Sequence, residues 1–300
     1  MSAAFHADPA PSAELSAELS PPQPDGRNGW YVHPVRVGII SSSELSAGSR
    51  IEYRLNEGSW AVYTSPFMVD SDGINTLEYR STDGNGIAGT VQSVTVKLDS
   101  AAPVTSASAG PADGKNGWYR SAPVVSLTAA DAVSSVARTV YRLNDGPWSE
   151  YSQPVTVSVY GSDRLEYRSI DQAGNEEQAR SLTLNVDSAA PALRLALDKT
   201  TLWPPNNKTV SVTASVYASD SGSGIASVVL TSITSNEPLQ PDDIQDAQYG
   251  TADTSFRLRA SRAGSGNGRI YTITYTATDQ AGNQITASAN VRVPHDPSGR

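Results

Sequence analysis

The 300-residue chain has no cysteine, which excludes disulfides and thiolate metal centres as the source of its stability. Phenylalanine is scarce at three residues, so the aromatic bulk of any core must come from five Trp and thirteen Tyr. Histidine is nearly absent. His6 and His295 lie near the ends, and His33 aligns with Ser121 in the internal repeat described below, so no pair of His spaced for a metal exists. No nucleophile elbow and no phosphate-binding glycine loop occurs either, and an active site has no constellation to rest on. There is no apolar run long enough to span a bilayer, which needs about 18 residues or more. Blocks of Lys and Arg are also missing. With a net charge of −9, the surface is expected to repel nucleic acid and anionic lipid. The opening Met1-Ser2-Ala3-Ala4-Phe5-His6 lacks the basic and apolar regions of a signal peptide. If the protein is exported, this chain is expected to be a piece of a longer one.

What the chain does contain is itself, twice. Residues 25–103 align with 113–191 without a gap at an offset of 88, with about 33 of 79 positions identical, the mark of a duplicated structural unit. Asp25-Gly26 and Asn28-Gly29-Trp30-Tyr31 recur as Asp113-Gly114 and Asn116-Gly117-Trp118-Tyr119. Tyr53-Arg54-Leu55-Asn56 recurs as Tyr141-Arg142-Leu143-Asn144, and Leu77-Glu78-Tyr79-Arg80-Ser81 as Leu165-Glu166-Tyr167-Arg168-Ser169. Each copy closes on the same five residues, Asp99 to Pro103 and Asp187 to Pro191. Spacers and binding arrays use in-line copies; a catalytic domain rarely does.

Short β-rich runs fill the second copy: Val124 to Ala129, Val136 to Leu143, Pro154 to Val159, Leu165 to Ser169 and Ser181 to Val186. Asn56-Glu57-Gly58 and Asn144-Asp145-Gly146-Pro147 supply hairpin turns between such runs. Residues 192–294 are related without being a copy, with strands expected at 192–198, 208–218, 225–235, 255–260, 269–278 and 284–293. A common signature joins all three units. Tyr79, Tyr167 and Tyr275 each precede an Asp by four (Asp83, Asp171, Asp279), and a Gly follows each Asp by three. These tyrosines sit where a tyrosine corner belongs and are read as core. The expected fold is all-β: a disordered linker at 1–24, three antiparallel β-sandwiches at 25–103, 104–191 and 192–294, and a tail at 295–300. Strands of about 8–10 residues at ~3.3 Å each make a sandwich roughly 30 Å long, so three in line would approach ~100 Å.

Asn-Gly-Trp-Tyr, followed by Tyr-Arg-Leu-Asn-x-Gly-x-Trp-x-x-Tyr, Leu-Glu-Tyr-Arg-Ser-x-Asp and Asp-x-Ala-Ala-Pro, resembles bacterial extracellular immunoglobulin-like repeats. The third unit is similar to a second bacterial Ig-like type through Leu202-Trp203-Pro204-Pro205-Asn206-Asn207-Lys208, the 231–238 segment and the 267–275 segment. The resemblance implies an extracellular or cell-surface, non-catalytic, monomeric module attached to other domains of a larger protein. The absence of thiols agrees with export. Such repeats commonly carry Asp-x-x-Ser-Gly-Val/Ile after an early strand. Residues 220–225 keep a close version, 131–136 lack the Gly, and 43–48 lack the Asp.

Two kinds of site follow from the residues. Trp60 with Tyr63 and Trp148 with Tyr151 would stack on sugar rings if exposed, making a polysaccharide or cell-wall binding array; otherwise they cover the edge of the core. Asp131 with Asp171, and Asp220 with Asp279, converge at one pole of a sandwich in this reading and offer the oxygen ligands calcium requires. Alternatively they stabilise turns by accepting from their own backbone. No other cofactor is expected. The recurring acids Glu78 and Glu166 beside Arg80 and Arg168 are explained by cross-strand pairing. The leading expectation is a spacer, with a carbohydrate-binding array and a calcium-stiffened adhesin segment as alternatives.

Overall fold

A computed structural model describes residues 14–158, 161–264 and 266–296. Among these there is no helix, and therefore none long and apolar enough to cross a membrane. The chain divides into two compact units. One is Met1–Ala107 with Leu127–Gln153 and Glu166–Ser181; the other is Ser108–Ser126 with Pro154–Leu165 and Leu182–Arg300. The second sequence repeat therefore contributes to both.

In the first unit, strands Leu15–Ser20, Val35–Ser41 and Phe67–Val69 form one antiparallel sheet, in that order. Ala61–Val62, Arg50–Leu55, Gly73–Thr82 and Gln92–Leu98 form a second. Burial alternates with period two, as a half-buried strand requires. Val35, Val37, Ile39 and Val69 from the first sheet meet Leu77, Tyr79, Val96 and Leu98 from the second in one core. These two sheets are a sandwich. The hairpin between Arg50–Leu55 and Ala61–Val62 turns at Asn56 and Glu57, with φ of 49° and 60°, closed by Gly58 N–H donating to the Leu55 carbonyl at 2.9 Å. Two consecutive positive φ values match the right-handed twist of the flanking strands.

The strand Leu15–Ser20 corrects the expectation of a disordered linker through residue 24. Leu15 is buried, and Leu15, Ala17 and Leu19 belong to the core or pack against it. The whole segment pairs with Val35–Ser41 from Leu15↔Ser41 to Ser20↔Arg36. Its Leu-Ser-Ala-Glu-Leu-Ser pattern is strict apolar–polar alternation, and that signal outweighs the prolines behind it. Residues 1–13 of the expected linker and 297–300 of the expected tail lie outside the described residues.

Residues 104–191 add a sheet ordered Val155–Thr156, Val124–Ala130, Val104–Ala109, and another ordered Ser149–Glu150, Val136–Leu143, Gly161–Asp171, Arg180–Val186, Trp118–Tyr119. In the second unit, Ala192–Leu197, Thr209–Ser219, Ser255–Arg259 and Ile244–Gln245 form a four-stranded sheet. It shares a core with the sheet Ile225–Ser235, Arg269–Asp279, Gln284–Val293. Tyr271 and Tyr275 are the largest side chains wholly inside it. Tyr275 donates its hydroxyl to the Asp253 carbonyl at 2.7 Å, so the tyrosine is core with its polar end satisfied. Tyr79 and Tyr167 are buried too.

Candidate functional site

The repeated motifs converge on two joints built to the same plan, one within each unit. In the first, the Asp25–Tyr31 segment folds back on itself through Gly26 N–H to the Trp30 carbonyl (3.0 Å) and Trp30 N–H to the Arg27 carbonyl (2.9 Å). Asn28 and Gly29 take left-handed φ of 54° and 77° at its tip. Its base is pinned to the last strand of the repeat: Tyr31 bridges Leu98 in parallel, and Asp99 N–H donates to the Tyr31 carbonyl at 2.9 Å. The tip reaches the turn Asp171–Asn175. Arg27 N–H donates to the Ala173 carbonyl at 2.7 Å. The Asn28 amide donates to the Gln172 main-chain carbonyl at 2.8 Å and to its Oε1 at 3.1 Å.

The second joint repeats every contact. Asn116 and Gly117 have φ of 54° and 78°, and Trp118–Tyr119 pairs in parallel with Asn185 and Val186. Lys115 N–H donates to the Ala281 carbonyl at 2.8 Å. The Asn116 amide donates to the Gln280 carbonyl at 3.0 Å and to its Oε1 at 3.2 Å. Arg120 Nε adds a bond to Asn283 Oδ1 at 2.8 Å.

At the centre of each joint stand three aspartates. Carboxylate oxygens of Asp99, Asp131 and Asp171 all lie within 4.8 Å of one another, as do those of Asp187, Asp220 and Asp279. Asp99, Asp171, Asp187 and Asp279 are buried at 0–1% exposure. Both sequence-derived pairs are thus brought together, and each gains a third carboxylate from the closing pentapeptide, Asp99 in one and Asp187 in the other. The signal was present: an Asp opens both copies of Asp-Ser-Ala-Ala-Pro.

Backbone N–H groups hold the carboxylates in place. Asp99 accepts from Ser134 N–H at 3.0 Å, and Asp187 from Ser223 N–H at 2.7 Å. Asp131 accepts from the N–H groups of Val133 and Ser135, and Asp220 from those of Gly222 and Gly224. Asp171 accepts from Gly174 N–H (2.6 Å) and Asn175 N–H (2.8 Å), while Asp279 accepts from Asn283 N–H at 2.8 Å. Three like charges this close repel, and aligned N–H donors offset part of that cost. An all-oxygen, partly buried triad suits a hard cation such as calcium, which takes six to eight oxygens, rather than a soft metal. Among the described residues these are the two clusters of this kind. Asp83, the counterpart in the first repeat, belongs to neither and accepts from its own turn at Asn85 and Ile87.

The tryptophans are arranged otherwise. Trp60 carries the guanidinium groups of Arg54 and Arg80 at 4.8 and 3.9 Å from its ring centroid. Trp148 carries those of Arg142 and Arg168 at 4.8 and 4.5 Å. Such stacks occupy aromatic surface that a sugar ring would need. Tyr63 and Tyr151 accept from Ile39 N–H (3.1 Å) and Leu127 N–H (3.0 Å), and stand edge-on to Tyr53 and Tyr141. Each hydroxyl is thereby tied to a strand. A shallow groove of about 270 Å³ beside Trp148 is lined by Arg138, Glu150, Arg168 and Glu176 among others. Glu78 and Glu166 pair with Arg54 and Arg142, each at 2.7 Å. For Glu78 this is its directly opposed cross-strand neighbour, so the recurring acids are paired within the sheet.

No protein-family profile matches the chain, and no curated protein does. Solved structures similar to it include a tetra-tandem repeat from the extending region of a large adhesion protein. That match has 18% identity and a TM-score of 0.37, and covers 95% of this chain and 75% of that one. A protocadherin gammaB7 EC3-6 structure has 17% identity and a TM-score of 0.39, and covers 85% and 68%. A Bacteroides ovatus SGBP-B in complex with a mixed-linkage heptasaccharide has 13% identity and a TM-score of 0.21, and covers 92% and 70%.

Proposed function

We propose that this chain is a non-catalytic extracellular spacer of a bacterial secreted or surface protein, made of three Ig-like sandwiches divided at about residues 103 and 191. Its task is to hold attached domains at a set separation. The observation that carries this reading is the duplicated joint. Two copies of one linker are surrounded by the same hydrogen bonds, with lengths agreeing to a few tenths of an ångström. A chain that only tethered its neighbours would have no use for such bracing, because flexible linkers make few fixed contacts. Co-sedimentation with insoluble cellulose, chitin and peptidoglycan tests the reading directly. A spacer stays in the supernatant. Retention of the parent, lost in a still-folded Trp60→Ala/Trp148→Ala variant, would replace it with a carbohydrate-binding array.

The three-aspartate clusters favour a second, compatible reading, in which calcium stiffens the joints of an adhesin-like segment. Asp99, Asp131 and Asp171 would hold one ion; Asp187, Asp220 and Asp279 would hold the other. A melting temperature that is the same in calcium and in EDTA would remove calcium from the account and leave the spacer intact.

A further inference from the structure

The hairpin and the turn that meet in each joint are unevenly distributed along the chain. Hairpins of the form Asp-Gly-x-Asn-Gly-Trp-Tyr occur at 25–31 and 113–119. In residues 192–294 the equivalent place is marked by Thr201, which bridges Arg292 in parallel, and by Leu202 N–H donating to the Arg292 carbonyl at 2.8 Å. The hairpins of the two repeats precede their base; here Asp198-Lys199-Thr200 precede it and Trp203-Pro204-Pro205-Asn206-Asn207 follow it. Neither side offers a glycine or an Asn-Gly tip, and the two prolines have no N–H to donate. The turn shows the opposite distribution. Asp-Gln-Ala-Gly-Asn occurs at 171–175 and 279–283, while the first repeat has Asp83-Gly84-Asn85-Gly86-Ile87.

That first-repeat turn keeps its geometry but not its contact groups. Asp83 N–H donates to the Ile87 carbonyl at 3.0 Å, matching Asp171 N–H to the Asn175 carbonyl at 3.1 Å. Where the Asn175 amide donates to the Asp99 carbonyl at 2.8 Å, the first repeat has an isoleucine that is 69% exposed and whose side chain carries no donor. Gly84 replaces the Gln whose carbonyl and Oε1 receive the Asn amide.

We infer that the Asp-Gln-Ala-Gly-Asn turn is a docking surface for the Asn-Gly hairpin of the preceding repeat, and that this pairing gives the array a direction. The inference rests on the tandem-spacer reading and deepens it. What the turn selects is main-chain shape. A Cβ on Gly26 would lie 2.6 Å from the Ala173 carbonyl oxygen, and one on Gly114 would lie 2.7 Å from that of Ala281; real side chains do not come so near. The partner must therefore present a glycine there, a free N–H one residue later, and an asparagine amide at the left-handed tip. Residues 25–103 carry the hairpin without the docking turn, 104–191 carry both, and 192–294 carry the turn without the hairpin. The order of the three is written into which half of the joint each one bears. Any domain joined to the free pole of the first or the last uses different contacts.

The absence of cysteine allows a clean test in the full chain. Spin labels at Thr64→Cys/Glu150→Cys report the first joint, and labels at Ser126→Cys/Asn290→Cys report the second. Distance distributions are recorded with calcium and with EDTA. The triple variant Gln172→Gly, Ala173→Asn, Asn175→Ile gives the second repeat the turn residues with which the first repeat already forms this turn. It should broaden the distribution across the first joint and leave the second as in the parent, in both buffers. Asn28→Ala, placed in the hairpin away from the turn, should broaden the same joint, and circular dichroism confirms that each variant is folded. A first joint that stays narrow in both variants overturns the inference, as does equal broadening of the two joints. So does a parent joint that is narrow in calcium alone, because an ion would then be doing what is assigned to the hairpin. Retention on a polysaccharide would overturn the spacer reading while leaving these distances unchanged.

Discussion

The side-chain amide of Asn283 donates to the main-chain carbonyl of Asp187, 96 residues earlier, at 2.9 Å, and to the carboxylate of Asp279 at 2.9 Å. Asn175 does the same for Asp99 and Asp171, at 2.8 Å each. One asparagine thus ties the linker to the turn that receives the hairpin of the preceding repeat.

Replacing Asn283 by Ala leaves two buried acceptors without this donor. The expected loss is about 1–3 kcal/mol, the cost of orphaned buried polar groups, seen as a lower urea midpoint for the transition of the second unit. A midpoint unchanged within error would show that water replaces the amide at no cost.

Calcium titration should reveal two sites per chain by calorimetry, with Asp171→Asn and Asp279→Asn each removing one. Binding to the folded form alone raises stability by about 2.7 kcal/mol at a hundredfold excess over Kd. No heat, and no change in melting temperature, would mean that the triads are held by N–H donors only.

Trp148→Ala should cost about 0.5–1 kcal/mol for the lost guanidinium stacking, beyond the burial of its ring. Retention on cellulose, chitin or peptidoglycan should be nil for parent and variant alike. Polymer retention that tracks the indole would contradict this.

In the second unit Arg269 bonds Asp243 at 2.5 Å, Glu237 at 3.2 Å and the Tyr271 hydroxyl at 3.1 Å. Burial pushes the Asp243 carboxyl up, but the Gln240 N–H and the Arg269 guanidinium together outweigh it and hold the group below its usual range. A depressed folded value means that the stabilisation is present above the unfolded pKa of 3.8. It is lost as pH falls through the folded value, so acid unfolding of this unit should begin below about pH 4. Arg269→Met removes the shortest of the ion pairs of Asp243 and leaves Arg259 at 3.4 Å; it should cost about 1–3 kcal/mol and should bring acid unfolding to higher pH. An unaltered acid midpoint would show the pair to be energetically idle.

At the other extreme, burial and the nearby Asp253 charge raise the Tyr275 hydroxyl to about 12. Stability linked to it is complete below the unfolded value of 10 and falls as pH climbs toward 12. Tyr275→Phe should flatten that alkaline loss, measured by urea unfolding at pH 9 and 11.

The sheets were legible in the sequence because period-two alternation is a local signal. Val136–Leu143, Ile225–Ser235 and Gln284–Val293 have the expected bounds to the residue. Leu15–Ser20 was missed because its counterparts stand directly after a joint, whereas it follows a segment rich in Ala, Ser and Pro. Pairing of Asp131 with Asp171 could be read from recurring turns. The part played by Asp99 could not be placed so easily, since its neighbours in space, Ser134 and Asn175, are 35 and 76 residues away. Contacts across a joint leave no periodicity, only motifs that recur together.

A gene encoding such a series can change length without mismatch. Deleting residues 104–191 would set the first hairpin against Asp279–Asn283, and inserting another 88-residue copy would present a hairpin and a turn to neighbours that already fit them. Length can then change by whole repeats, with no compensating substitution at any junction.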